Sequence, residues 1–257
     1  MEEIDHVRLA EESNYNVARQ RVGDSGSLIQ DLIDLYSLLG DLVRESGVSP
    51  DDELVAASQF LLACRYQLTV GALTALRGHI NDSFYFTRKA IELVAFAARV
   101  DKHPDLAMVW LQAGRSDISY QRYREKFKPG KLFPKDHEIL GKLYNRYDHC
   151  SKLLHPSAYS LAGHINIEQS TDRVDFKFDY FQLQDSDLSE PIRTLLWIAD
   201  THFGILRIFQ EILKRAIAHD PTKWETRRNA VDARIGLAKA RWKHTLMREE
   251  PNGELSI

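Results

Sequence analysis

The sequence predicts a mainly α fold, a bundle of about six or seven helices with one inserted β-hairpin. Three observations predict it. Apolar residues recur at spacings of three and four through most of the chain, the period of a helix with one buried face. One short stretch changes period: Val174, Phe176, Phe178 and Tyr180 alternate with Asp175, Lys177 and Asp179, as in a strand. Composition is that of a folded chain, 44% hydrophobic and 28% charged over 257 residues, which excludes disorder and collagen-like repetition.

The elements follow in order. Leu28, Leu32, Leu35, Leu38, Leu39 and Leu42 mark the first helix, which Gly47 and Ser49-Pro50 end. The next spans about 52–77, with Leu54, Phe60, Leu61, Cys64, Leu68, Leu73 and Leu76. Gly78 and Asn81-Asp82-Ser83 punctuate it, and a further helix runs from about Asp82 to Val100. Pro104 opens a short helix over 105–112. After the turn signal Pro129-Gly130, a helix covers about 135–154 and closes at His155-Pro156, because a residue before proline is biased away from helical geometry.

The hairpin is expected near 164–182, Ile165 and Ile167 facing the longer alternating run, with its apolar side packed on the helices or on another subunit. Ser189 and Pro191 start a long helix through Leu213, and Asp220-Pro221 breaks it. The last helix covers about 222–247, with Trp224, Val231, Ile235, Ala238, Trp242 and Leu246 on one stripe. The expected organisation is a helical bundle over residues 1–220 and a basic amphipathic helix and tail over 221–257.

Charge is unevenly distributed. Residues 1–60 carry 4 basic and 13 acidic side chains, residues 61–206 carry 19 and 17, and residues 207–257 carry 11 and 7. The acidic start and basic end can attract one another or a partner chain. The net charge of −3 excludes a polycation built as a whole for nucleic acid. Cys64 and Cys150 are too few for a disulfide framework and read as reduced thiols. The acidic N-terminus lacks the apolar run of a signal peptide, and no apolar stretch approaches the roughly 20 residues of a spanning helix, so the expected setting is the cytoplasm, without membrane contact.

Two signals carry the most chemistry. Residues 90–98 are apolar on every side of a helix except at Glu92, which places that carboxylate in the interior with a need for a partner. Arg88, one turn earlier, can meet it. Tyr147, Ser151 and His155 then share the stripe of Leu140, Leu143 and Tyr144, so core-facing positions carry a phenol, a hydroxyl and an imidazole. Two readings are open. Either Arg88, Glu92, Ser151 and His155 form a hydrogen-bonded network that fixes helix register, or they line a cleft where His155 is a general base oriented by Glu92.

The stretch Gly71-Ala72-Leu73-Thr74-Ala75-Leu76-Arg77-Gly78, then Arg88-x3-Glu92, then Leu143-Tyr144 to Ser151-x3-His155-Pro156-Ser157, resembles a group of uncharacterised bacterial helical proteins. Those proteins have an R-x3-E helix and a later S-x3-H helix ending in H-P. Some are associated with phage defence or with the HEPN superfamily of helical bundles. The resemblance spans roughly residues 60–160 and implies a helical bundle. A HEPN ribonuclease would supply R-x(4–6)-H, the arginine stabilising phosphate charge and the histidine moving a proton. This chain departs from that pattern: Arg99 to His103 has three intervening residues, Arg146 to His149 two, and Arg146 to His155 eight.

Between Arg115 and Lys131, the cations Arg122, Arg124, Lys126, Lys128 and Lys131 interleave with Tyr120, Tyr123 and Phe127, a mixture that suits single-stranded nucleic acid or a wet helix face with aromatic anchors. Arg227, Arg234, Arg241 and Arg248 repeat every seven residues on the last helix, as a polar flank, a partner-helix contact or a phosphate track. The ten histidines show no metal-ligand spacing, and no phosphate-binding glycine loop or nucleophile elbow is present, so neither metal nor cofactor is expected. The leading expectation is a non-catalytic helical interaction protein linked to phage defence or toxin–antitoxin systems, with a protein partner or a second copy of itself. The alternatives are a metal-independent HEPN-like ribonuclease using His155, Arg88 and Glu92 with Ser151 and Tyr147, and a nucleic-acid-binding module, with RNA as the candidate ligand, using Arg122, Arg124, Lys126 and Lys128.

Overall fold

The computed structural model describes residues 2–128, 132–133, 137–155, 165–169, 174–178, 181 and 189–246. Among them are ten helices: α1 (Glu2–Arg21), α2 (Asp24–Glu45), α3 (Asp52–Leu76), α4 (Ile80–Lys102), α5 (Asp105–Leu111), α6 (Asp117–Lys126), α7 (Glu138–Leu154), α8 (Ser189–Ile212), α9 (Lys214–Ile217) and α10 (Pro221–Leu246). None of the described helices is long and apolar enough to cross a membrane.

Local chemistry sets the boundaries. Asp51 caps α3, its carboxylate accepting the Leu54 N–H at 2.7 Å. Gly78, with φ 96°, makes the turn that sends α4 back along α3. The two helices then pack closely: a Cβ on Gly71 would meet the Phe86 Cβ at 3.3 Å and the Ser83 carbonyl at 3.4 Å. Helices α3, α4 and α8 form the centre, with Phe60, Leu68, Ile91, Val94, Leu195 and Phe209 fully buried. Helix α2 covers one side through Leu28, Leu32, Leu35, Leu39 and Leu42, and α7 covers another through Leu140, Leu143 and Cys150.

Helix α10 lies across α2 and α8, burying Trp224, Val231 and Ile235. Its arginines face the carboxylates of α2. Arg234 pairs with Asp31, Arg241 with Asp24 at 2.7 Å, and Arg227 approaches Asp31 and Asp34 at 3.9 Å. Lys223 reaches Glu45 at 3.6 Å. The acidic start and the basic end of the chain therefore meet within one molecule. The side chains of Trp242 and Leu246 and the whole of Arg248 lie outside the described residues.

Several expectations are corrected. The fold class is a helical bundle, without an inserted β-hairpin as a component of its architecture. The segments Ile165–Gln169 (β1) and Val174–Phe178 (β2) pair antiparallel with each other, Ile165 opposite Phe178 and Gln169 opposite Val174, and form no sheet layer. Two paired five-residue segments are small beside helices of up to 26 residues, which supply nearly all of the described core. The rest of the expected 164–182 hairpin lies outside the described residues, Phe181 excepted. Residues 2–21 form a helix that no strong apolar period announces; its packed side is a thin line of Val7, Ala10, Asn14 and Ala18. The long helix expected from Ser189 to Leu213 ends at Ile212, and a separate turn, α9, follows.

Candidate functional site

Helices α4 and α7 pack together and bring three of the predicted residues into contact. The Arg88 Nη2 donates to the Tyr147 hydroxyl at 3.0 Å, and its guanidinium lies over the Tyr147 ring at 4.9 Å. One turn along α4, Glu92 Oε1 sits 3.5 Å from Arg88 Nε, an ion contact rather than a hydrogen bond, and Lys89 donates to Glu92 Oε2 at 3.2 Å. The Glu92 side chain is only 15% exposed, so the sequence places it inward correctly while two cations neutralise it. Burial works against the Arg88 charge, but the bond to Tyr147 and the nearby Glu92 outweigh it and hold the guanidinium firmly protonated.

The other two residues do not join this set. The Ser151 hydroxyl donates to the Tyr147 carbonyl of its own helix at 2.8 Å. His155 is the C-cap of α7, exposed, with its backbone N–H donating to the Ser151 carbonyl at 3.0 Å. Glu92 is held by Arg88 and Lys89, not by the His155 ring, so the arrangement that would orient His155 as a base is not formed. Cys150, beneath the cluster, is a buried thiol whose pKa burial pushes up to about 12, against the pull of Arg88 and Arg146. It stays protonated at neutral pH and cannot serve as a nucleophile.

The basic candidates Arg122, Arg124 and Lys126 occupy α6, and Lys128 follows its C-cap. A capping box starts this helix: the Ser116 hydroxyl accepts the Ser119 N–H, and the Ser119 hydroxyl accepts the Ser116 N–H at 3.0 Å. Tyr123 and Phe127 anchor it on an aromatic cluster with Phe96 and Trp110, the Phe96–Phe127 centroids lying 5.1 Å apart. Arg122, Arg124, Lys126 and Lys128 all face solvent, and none forms an ion pair with a described residue. Lys131 lies outside the described residues. The contrast with α10 is sharp, since the described arginines of its heptad spend their charge on α2.

Sequence reasoning missed two polar clusters. Arg146 of α7 pairs with Asp200 of α8, donates to the Thr201 hydroxyl at 2.7 Å and lies 5.7 Å from the Trp197 ring; Lys239 of α10 adds a second cation 3.2 Å from Asp200. Burial pushes the Asp200 carboxyl up, but Arg146 and Lys239 overcome it and hold it below the usual carboxylate range. The second cluster is fully buried: the Tyr36 hydroxyl and His202 Nδ1 are 3.0 Å apart, and His202 Nε2 has no hydrogen-bond partner among the described residues. A signal existed for His202, because residues 195, 199, 202, 206, 209 and 213 form one stripe in steps of four and three in which it is the only polar member.

Arg146, Asp200 and Lys239 tie three helices together, the Arg146 and Asp200 side chains only 19% and 21% exposed. Asp200→Ala is expected to cost about 2–3 kcal/mol in urea unfolding, because it strands two cations, after discounting for partial solvent screening. A loss under about 0.5 kcal/mol, the size of an exposed pair, would refute this.

A shallow cleft of about 670 Å³ lies between α2 and the start of α10, lined by Asp34, Leu38, Lys223 and Arg227, and Arg227 and Asp34 partly neutralise one another across it. Among the described residues, no group of three or more His, Cys, Asp or Glu side chains is placed to hold a metal ion. No family model, curated protein or solved structure matches the chain.

Proposed function

We propose that this chain is a non-catalytic helical interaction protein. The observation that carries the reading is the closure of the Arg88–Glu92–Tyr147 set. Arg88 is spent on a phenol and a carboxylate, the Ser151 hydroxyl on its own helix backbone, and His155 is the C-cap of α7. A general base needs to be within hydrogen-bond reach of the group that orients it, and among the described residues the Glu92 carboxylate is held by Arg88 and Lys89. The link to phage defence or toxin–antitoxin systems rests on the R-x3-E and S-x3-H-P resemblance and belongs to this proposal.

One observation favours a second reading, a nucleic-acid-binding module. Arg122, Arg124, Lys126 and Lys128 are exposed and form no ion pair with a described residue, beside the half-exposed Tyr120, an arrangement able to hold phosphates and stack a base. A single assay separates the readings. Total bacterial RNA is incubated in EDTA with wild type and with His155→Ala, and run on denaturing and native gels. The expected result is no cleavage by either protein and no retention. Cleavage by wild type that His155→Ala abolishes would overturn the proposal in favour of a ribonuclease. Salt-sensitive retention, lost when Arg122, Arg124 and Lys126 are neutralised, would establish the second reading.

A further inference from the structure

Helix α3 is apolar on both faces. One face, including Phe60, Leu61, Cys64, Leu68 and Ala72, is buried in the core. The opposite stripe runs Val55, Gln59, Leu62, Tyr66, Thr69 and Leu73, in steps of four and three that keep to one line on a helix. Leu62 is 60% exposed and Tyr66 61%. A helix apolar all round belongs in an interior, yet among the described residues this stripe has an open middle.

The order along the stripe reads the same from either end: apolar, polar, apolar, apolar, polar, apolar. A second α3 laid antiparallel, about a two-fold axis between Leu62 and Tyr66, matches every position. Leu62 meets Tyr66 of the partner subunit, Val55 meets the partner's Leu73, and Gln59 meets the partner's Thr69. The polar match is also one of donor to acceptor. Gln59 Oε1 accepts from Trp110 Nε1 at 3.2 Å, which leaves its amide N–H groups to donate. The Thr69 hydroxyl donates to the Arg65 carbonyl at 3.1 Å, which leaves its oxygen to accept.

Charge agrees with the same orientation. Beside the N-terminal half of α3, Trp110 of α5 stacks on Phe60 at 4.3 Å and packs on Tyr123 of α6, whose exposed Arg122, Arg124 and Lys126 form no ion pair with a described residue. At the C-terminal end lies α1, joined by Asn14 donating to the Arg77 carbonyl at 3.2 Å and by Glu11 on His79 at 2.9 Å. Residues 3–12 of α1 hold Glu3, Asp5, Glu11 and Glu12 against Arg8 alone. Antiparallel packing brings the basic α6 end of each subunit to the acidic α1 end of the other, whereas parallel packing sets like against like.

We propose that the protein is a two-fold symmetric homodimer, with α3 packed antiparallel on α3 through Val55, Leu62, Tyr66 and Leu73. Each subunit presents the same patch to the other, as a closed two-fold contact requires. The test is the mass of the full chain in solution, by size exclusion with light scattering. Wild type is expected at about 59 kDa, twice the 29.6 kDa chain. Leu62→Asp and Tyr66→Asp should each give single chains with unchanged helical circular dichroism. Leu237→Asp, at a leucine 71% exposed on α10, should stay dimeric. Register is read by cysteine pairing: mixed Leu62→Cys and Tyr66→Cys chains should join on mild oxidation. Val55→Cys chains should not, their positions lying about 27 Å apart in the antiparallel dimer. A wild type at the single-chain mass, a dimer indifferent to Leu62→Asp and Tyr66→Asp, or self-linked Val55→Cys chains would each overturn the proposal.

Discussion

Lowering the pH from 7 to 4 is expected to remove about 3 kcal/mol of stability through His202 alone, at about 1.4 kcal/mol for each unit below its ordinary value. The ring is fully buried beside Tyr36, and burial drives its pKa from the ordinary 6.5 to about 3. In the folded protein it is neutral through this range, while in the unfolded chain it takes up a proton below about pH 6.5. The unfolded state therefore binds more protons, and stability falls as pH falls, from 6.5 down to about 3. The contribution is complete above that window. Asp200 acts lower on the scale, since its stabilisation is lost only as pH falls through and below the usual carboxylate range.

His202→Gln separates the two groups. Glutamine can keep a hydrogen bond to Tyr36 and cannot titrate. Urea midpoints measured from pH 7 to pH 4 should fall less steeply in the variant than in wild type. Parallel curves would mean that His202 is not the acid-sensitive group.

Trp224→Ala is expected to destabilise the protein by about 3–5 kcal/mol, the range for truncating a large aromatic in a packed core. Trp224 is fully buried at the N-terminal end of α10, and it anchors that helix on the bundle. The ion pairs between α10 and α2 look numerous, but most have exposed side chains, and exposed pairs are worth about 0–1 kcal/mol each. High salt should therefore shift the unfolding midpoint much less than Trp224→Ala does. Chemical denaturation in low and high salt checks both arms. A salt effect equal to that of the tryptophan would reverse the assignment and make charge the anchor.

The parts of this fold legible in the sequence were those with a long apolar period. Leu28 through Leu42 and the stripe of α8 declare buried helix faces at any level of context. The Arg88–Glu92 pair was legible for the same reason, a lone carboxylate in an apolar helix with a cation one turn away. Tyr147 joined it because its stripe faces α4. His155 was harder: Pro156 marks the helix end at that residue, but past the last turn a spacing of four no longer keeps a side chain on the stripe of Tyr147 and Ser151. Helix α1 was obscured by its polarity, being held by a thin line of small residues and by Glu11 on His79. The hairpin expectation came from period alone, and period does not reveal whether a ribbon belongs to the core. Asp200 and Arg146 lie 54 positions apart on two helices, and only their crossing creates the pair.

The closure of α10 over α2 also has a consequence for synthesis on the ribosome. The α2 side of the groove that α10 fills is made early, but Trp224 is about two hundred positions downstream. At about 5–20 residues per second, roughly 10–40 s separate the emergence of the two. During that interval the nascent chain carries the apolar face of α2, bordered by the carboxylates of Asp24, Asp31 and Asp34, without the basic helix that covers it. Unneutralised, those carboxylates repel other nascent copies and keep the open face from aggregating until the basic helix arrives to close it.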